Sequence, residues 1–318
     1  MNHLEIYTNF LKKFLNPHKK LKAVFDCSNG TTGPILKQLT SKNLRLTTYF
    51  INNEPNGNFP AHGPDPLKKN AMSDLRLAIL HHKADLGIIF DADGDRMFLM
   101  DDCGRFINPD VTAKLLIWRL KSKKIIVDVS TGWLIRRGIT NNESGINNKK
   151  INPIIHNSKF IIQSRVGHYF IKNLMRKKNI DFAAERSGHY YFSHQNPGEE
   201  KLYFDSGILA AVHIINAVSK LPYKLPAFND LLPQYYRSGE INIKGNAGSL
   251  IKKIEEQYKN QALKISHIDG LTMEFNSPAG EWWFNLRPSN TEPLIRINIE
   301  TTSKALLEKK KKELIGLL

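Results

Sequence analysis

Leu86-Gly87-Ile88-Ile89-Phe90-Asp91-Ala92-Asp93-Gly94-Asp95-Arg96 is the stretch that decides the fold. Its first five residues are an unbroken apolar run ending in a polar loop. Such a run reads as a central strand of a parallel sheet, buried on both faces. The loop then places carboxylates at i, i+2 and i+4. On an extended segment alternate side chains point to one side, so Asp91, Asp93 and Asp95 converge. Three carboxylates that close repel one another unless a cation sits among them. Oxygen-only ligands suit a hard cation such as Mg2+, with positions left open for a phosphate oxygen. An EF-hand is excluded: Arg96 stands where that loop needs glycine, and the flanks read as strands rather than helices. A solvated acidic turn is the competing reading, and the cluster's place directly after a core strand favours the metal. Arg96 either orients a phosphate or an aspartate, or makes a structural ion pair.

Working outward, residues 5–15 read as a short helix and 22–26 as a buried strand ending in Cys27-Ser28-Asn29-Gly30. A helix over 33–39 and a strand over 44–51 follow. Residues 52–66 are rich in Asn, Pro and Gly and read as loop. Helical spacing of apolar residues covers 67–83. Residues 97–100 form the next strand, turned at Asp102-Cys103-Gly104. A second unit repeats this order. Residues 108–120 read as a helix, and the strand 124–129 ends in Asp128-Val129-Ser130, where the first unit has Asp26-Cys27-Ser28. A helix over 167–178, a strand over 180–184, a polar loop and Tyr190-Tyr191-Phe192 complete it. Residues 222–226 look like a linker, after which the pattern changes. Strands at 239–244, 271–275, 281–286 and 294–300 alternate with helices near 249–259 and 304–318. The expected fold is α/β: two repeated α/β domains (βαβ sheets) over 1–106 and 107–222, then a small α+β C-terminal domain over 232–318.

In parallel sheets chemistry sits on loops at the carboxyl ends of strands, and two further loops are candidates. Glu185-Arg186-Ser187-Gly188-His189 occupies the place in the second unit that the aspartate loop has in the first. Glu185 and Ser187 can hydrogen-bond neighbouring sugar hydroxyls, and His189 can donate to a phosphate or hydroxyl. A plain polar turn is the alternative. Arg287-Pro288-Ser289-Asn290-Thr291-Glu292-Pro293 offers several donors against one carboxylate, and its backbone N–H groups suit an anion-binding nest. A tight turn before an edge strand is the alternative there.

Two cysteines, Cys27 and Cys103, are too few for a disulfide framework and fit a reducing compartment. No apolar run reaches the roughly 20 residues of a membrane span. The N-terminus lacks a basic region followed by an apolar core, so no signal peptide is expected and the location read is cytoplasmic. The formal net charge of +16 admits an anionic partner or compositional drift in a chain rich in Lys, Asn and Ile. The basic residues are scattered except at 309–312, and no zinc-finger spacing or aromatic RNA-binding signature appears. Neither nucleic acid nor membrane is an expected partner.

Taken together the three loops resemble the α-D-phosphohexomutase family, most closely its bacterial phosphomannomutase/phosphoglucomutase branch. The family's metal loop is D-G-D-G-D-R, and residues 91–96 match it with Ala92 for the first glycine. Its sugar loop G-E-x-S-G-H is matched by Glu185, Ser187, Gly188 and His189, with Ala184 replacing the leading glycine. Its phosphate loop R-x-S-x-T-E-P is matched throughout by residues 287–293. Further pieces resemble the family in order, among them 55–66, Val166-Gly167-His168 and Phe204-Asp205-Ser206-Gly207.

The resemblance implies a Mg2+-dependent interconversion of hexose 1-phosphate and hexose 6-phosphate. A phosphoserine donates its phosphoryl group, and a hexose 1,6-bisphosphate turns over in the cleft. It also implies roles: Asp91, Asp93 and Asp95 for Mg2+; Glu185, Ser187 and His189 for the sugar; Arg287, Ser289, Asn290 and Thr291 for the non-reacting phosphate. Arg96 and His168 would line the reacting end.

The family's first domain, with its T-A-S-H-N-P phosphoserine loop, has no counterpart in these residues. Residue 1 falls near the start of the family's second domain. The nearest text, Ser193-His194-Gln195-Asn196-Pro197, follows the sugar loop, carries an extra Gln and reads as a polar hairpin tip. Ser130 stands near a position where some relatives keep a basic residue. The expectation is a truncated mutase, inactive alone, with the serine domain supplied by a separate chain. The alternative is an inactive remnant that binds only Mg2+ and sugar phosphate.

Overall fold

The computed structural model describes residues 2–137, 160–245, 247–289 and 293–317. It contains three five-stranded sheets. After α1 (His3–Lys12), the first unit runs β1 (Leu21–Asp26), α2 (Thr32–Thr40), β2 (Leu46–Ile51), α3 (Ser73–His82), β3 (Leu86–Phe90), β4 (Met97–Asp101) and β5 (Phe106–Ile107). Its strand order is β2-β1-β3-β4-β5. β1 lies parallel to both β2 and β3, whereas β4 and β5 are antiparallel additions. Every residue of β3 is buried, as the apolar run requires.

The second unit comprises α4 (Pro109–Leu120), β6 (Lys124–Asp128), α5 (Trp133–Arg136), β7 (Phe160–Ser164), α6 (His168–Lys178), β8 (Phe182–Ala184), β9 (Tyr190–His194), β10 (Leu202–Asp205) and α7 (Gly207–Lys220). Its order, β7-β6-β8-β9-β10, reproduces the first sheet strand for strand, with the same two antiparallel additions. The repeat extends to single hydrogen bonds. Asp26 Oδ1 accepts from the Ser28 N–H at 3.0 Å, and Asp128 Oδ1 from the Ser130 N–H at 2.7 Å.

The third unit follows α8 (Leu225–Asp230). It consists of β11 (Tyr236–Lys244), α9 (Ala247–Tyr258), β12 (Lys264–Ser266), β13 (Leu271–Ser277), β14 (Gly280–Pro288), β15 (Leu294–Thr301) and α10 (Lys304–Leu317). The sheet β11-β15-β14-β13-β12 is antiparallel throughout. Both helices pack on it through Ile254, Tyr258, Leu306, Leu307 and Leu314.

One apolar core joins the first two units, because α4 and α7 pack on each other and are shared between them. α7 is buried on all sides, so its apolar run is a core helix. Its polar interruptions are put to use. Asn216 accepts from the Asn16 N–H at 2.9 Å and donates to the Phe14 carbonyl at 2.7 Å, anchoring the chain after α1. No helix among the described residues is long and apolar enough to cross a membrane.

The structure corrects several local expectations. Residues 67–72 form turns, and α3 begins only at Ser73. Asn70 takes a left-handed φ of +67°, which interrupts any helix running through it. The expected linker at 222–226 is a packed segment that runs into α8, with Leu225 and Phe228 buried. The sheets of the repeated units are mixed rather than wholly parallel. Ser193 and His194 are the last residues of β9, and the polar tip lies beyond them.

Candidate active site

The loop 91–96 leaves β3 with Asp91 buried. Its Oδ1 accepts from the backbone N–H groups of Gly94 and Arg96, each at 3.1 Å, and its Oδ2 from Arg96 Nε at 2.6 Å. Asp93 is exposed and Asp95 half-buried. Carboxylate oxygens of the three aspartates lie within 4.8 Å of one another. Burial first, and then the neighbouring Asp95, push the Asp91 carboxyl up to about 6. Asp95 is pulled below the usual carboxylate range: burial opposes this, and hydrogen bonding by His189 outweighs it. The crowding of these carboxylates disfavours full negative charge on the cluster, which a bound cation would relieve.

The loop after β1 supports this geometry. Thr31 donates its N–H to the Ala92 carbonyl at 2.8 Å and its hydroxyl to the Asp93 carbonyl at 3.2 Å. Gly30 permits the approach, since a Cβ there would lie 2.1 Å from the Ala92 oxygen. The loop 52–66 closes over the same side. His62 Nε2 lies 3.1 Å from Asp26 Oδ2, and Asp65 lies 3.6 Å from Arg96 Nη1.

The second loop meets the first directly. The Met97 N–H donates to the Gly188 carbonyl at 3.1 Å, and Arg96 and His189 form an antiparallel bridge. Gly188 has a φ of +93°, and Gly207 donates its N–H to the Gly94 carbonyl at 3.0 Å. His189 Nε2 stands 3.1 Å from Asp95 Oδ2 and its Nδ1 2.8 Å from Ser187 Oγ. The imidazole is raised above its ordinary value: burial opposes this, and the carboxylates of Asp95 and Glu185 outweigh it. Glu185 is buried. Its Oε1 accepts from the Gly167 N–H at 2.7 Å and its Oε2 from the Tyr191 hydroxyl, so protein groups already engage both oxygens. Burial, then Asp128, push its carboxyl up. His168 is exposed at the start of α6, beside Gly167.

The third loop belongs to the C-terminal sheet. The Ser289 N–H donates to the Leu294 carbonyl at 2.8 Å. Asn290 and Thr291 lie outside the described residues. Arg287 is only 4% exposed, and its guanidinium pairs with Glu240 at 3.1 Å. Glu240 also pairs with Arg296 at 3.1 Å.

A buried polar seam docks this sheet on the second unit. Arg237 is ion-paired with Asp110 and Glu300, and Glu300 accepts from the Trp133 N–H at 2.7 Å. Arg186 donates to Asn298 at 2.9 Å, and the Val166 N–H to Asp269 at 3.1 Å, which brings the sheet beside the loop 185–189. Sequence reasoning missed Arg237, Glu300, Asn298 and Asp269, because nothing in their neighbouring residues marks them. Ser130 spends its hydroxyl on Asp128 at 2.6 Å. Ser193 sits at the far end of β9 from the loop, hydrogen-bonded to Asp181 at 2.7 Å.

Comparison with known proteins agrees in chain order. Residues 5–104 match the family model for phosphoglucomutase/phosphomannomutase alpha/beta/alpha domain II, 152–235 that for alpha/beta/alpha domain III, and 240–317 that for the C-terminal domain. The chain is 34% identical over 323 residues to a phosphomannomutase of Methanocaldococcus jannaschii, and 32% identical over 329 residues to one of Escherichia coli. Each match takes in 100% of this chain and 66% of the relative, so the chain spans just under two thirds of their length. Among solved structures, a phosphoglucomutase/phosphomannomutase family protein from Burkholderia thailandensis superposes with a TM-score of 0.79 at 24% identity. That match covers 99% of this chain and 64% of that one. The N-acetylphosphoglucosamine mutase of Aspergillus fumigatus, solved with GlcNAc-6P and magnesium, gives 0.66 at 12% identity, covering 99% and 65%. At these identities the likeness is one of fold.

Proposed function

Because the chain belongs to the phosphoglucomutase/phosphomannomutase family, we propose that it forms the greater part of a Mg2+-dependent phosphohexomutase. It would interconvert hexose 1-phosphate and hexose 6-phosphate through a hexose 1,6-bisphosphate. The observation that carries this reading is the edge-to-edge meeting of the aspartate loop with the loop 185–189, through the Arg96–His189 bridge and the Asp95–His189 contact.

The donor set of Asp91, Asp93 and Asp95 fits Mg2+: oxygen atoms only, converging within 4.8 Å of one another. When bound there, Mg2+ supplies positive charge against which a transferring phosphoryl group is stabilised. Arg96 is held by Asp91 at the loop's edge and adds a fixed positive charge. Ser187 and His189 face the sugar, and Glu185 shapes that wall from below through Gly167 and Tyr191. Arg287, Ser289, Asn290 and Thr291 hold the phosphate that does not react, and His168 lines the reacting end.

The transferred phosphoryl comes from a phosphoserine outside these 318 residues, supplied by a separate domain. The P–O bond to that serine breaks as a hexose monophosphate hydroxyl attacks, releasing a proton to a base. The bisphosphate then returns its other phosphoryl to the serine, leaving the isomeric monophosphate and no net consumption.

A coupled mutase assay tests the reading. It uses the purified chain with Mg2+, a trace of hexose 1,6-bisphosphate, and mannose 1-phosphate or glucose 1-phosphate, with and without a separately expressed serine domain from a relative. Activity only with the added domain is the expected result, and the rate ratio names the sugar. Activity without it would place a nucleophile inside this chain. A folded chain silent in both arms would leave only the binding of Mg2+ and sugar phosphate.

A further inference from the structure

At the opposite end of the second sheet from the loops, a cavity of about 410 Å3 opens between α1, the α4–β6 turn, the α6–β8 turn and the β9–β10 hairpin. That volume falls within the range of small-molecule sites. Four phenyl rings line one part of it: Phe10 of α1, Phe14 just beyond that helix, Phe192 of β9 and Phe204 of β10. Phe10 and Phe14 meet edge to face at 5.1 Å, and Phe10 and Phe204 at 6.4 Å. Two imidazoles extend this lining. His194 lies edge-on to Phe10 at 4.9 Å, and His213 edge-on to Phe14 at 5.7 Å. Burial pushes His213 down to about 4, so at neutral pH it is an uncharged flat ring.

The border is cationic. Lys121, Lys123 and Lys124 fall within one turn, all exposed and all bordering the cavity. None is ion-paired among the described residues. The one carboxylate among the described lining residues, Asp181, is already taken by Lys201 and by the Ser193 hydroxyl. A flat apolar ring that carries a negative group matches both parts: the ring stacks on the phenyls, and the charge meets the lysines.

We propose that this cavity is a second binding site, for a small anion built on an aromatic ring. β8 and β9 run from one site to the other. Phe182, Phe192 and His194 lie at the cavity, while Ala184 and Tyr190 flank the loop 185–189. An occupant therefore contacts the same two strands that carry Glu185 and His189.

Binding to the 318-residue chain is read by calorimetry and by the imidazole resonances of the histidines. 2-Naphthyl phosphate supplies ring and charge without a ribose, and adenosine monophosphate supplies them with one. Adenosine and inorganic phosphate each supply one half. Heat from at least one ring-bearing anion is expected, larger than from either half, with shifts at His194 and His213. The stronger of the two ligands tells an aryl phosphate from a nucleotide. The double change Lys123→Glu, Lys124→Glu alters exposed side chains where the turn enters β6 and should leave thermal unfolding unchanged while weakening binding about tenfold. The proposal is overturned by no binding of either ring-bearing anion, by shifts confined to His168 and His189, or by undiminished affinity in the reversed variant.

Discussion

His189 Nε2 lies 3.1 Å from Asp95 Oδ2, across 94 residues of chain. The contact joins the loop after β8 to the loop after β3, equivalent points of two sheets with the same strand order. It makes Asp95 serve two purposes. Its carboxylate belongs to the aspartate cluster and also favours a charged imidazole on the facing loop. A phosphoryl group seated between the loops would meet positive charge from both units.

Asp93→Asn is expected to abolish Mg2+ affinity and leave folding intact, because Asp93 is exposed. Asp91→Asn should lose Mg2+ and also cost about 1–3 kcal/mol of stability, since its carboxylate accepts from three N–H donors in a buried site. Calorimetry with Mg2+, run beside thermal unfolding, separates the two. Normal Mg2+ binding by the Asp93 variant would remove the metal assignment.

Arg287→Ala should weaken hexose phosphate binding by about 1–3 kcal/mol through loss of a charge-assisted contact. The same change breaks the pair with Glu240, so a loss of stability accompanies it. Glu240→Gln is the control, because it breaks the pair and leaves the guanidinium free. Its binding should hold while its stability falls. Calorimetry showing full affinity in Arg287→Ala takes the loop 287–293 out of the site.

Lys114 is 1% exposed inside α4, and burial alone pushes its ammonium down to about 8. Its folded value lies below its unfolded one, so the unfolded chain binds more protons between roughly pH 8 and pH 10.5. Stability therefore rises with pH through that window. Lys114→Met should stabilise the chain at pH 7 by about 1–3 kcal/mol and flatten the rise. Urea unfolding at pH 7 and at pH 9.5 reads both effects. An unchanged slope in the variant would assign the rise to other groups.

Arg237→Met should cost about 3–5 kcal/mol, because it leaves Asp110 and Glu300 buried without their counter-charge. The loss should appear as early release of the C-terminal sheet, read by protease cleavage between 223 and 236. A variant with wild-type resistance would mean that the apolar contacts of the seam hold the sheet unaided.

Local order carried much of the fold into view. The buried strand at 86–90, the aspartate spacing that follows it and the recurrence of Asp-x-Ser at residues 26–28 and 128–130 all depend on groups within a few residues of one another. Their periodicity and hydrogen bonding are written in consecutive positions, so the repeated α/β units and the three loops could be read directly. The turns at 67–72 were less legible, because apolar spacing there imitates a helix and the left-handed Asn70 that forbids it leaves no trace in periodicity.

Only the tertiary structure decided what those loops face. Asp95 meets His189 because two sheets share the helices α4 and α7, and Arg237 lies against Asp110 across 127 residues for a similar reason. Glu185 looks like an open sugar ligand in sequence, yet its oxygens are held by Gly167 and Tyr191. Ser193 looks like a nucleophile's neighbourhood, yet it stands at the other end of its strand beside a phenyl-lined cavity. The amino-acid order determined which segments become strand, helix and polar loop, because those follow from contacts between near neighbours. Packing determined which distant side chains come within hydrogen-bonding reach, because that depends on how whole sheets bury their faces together.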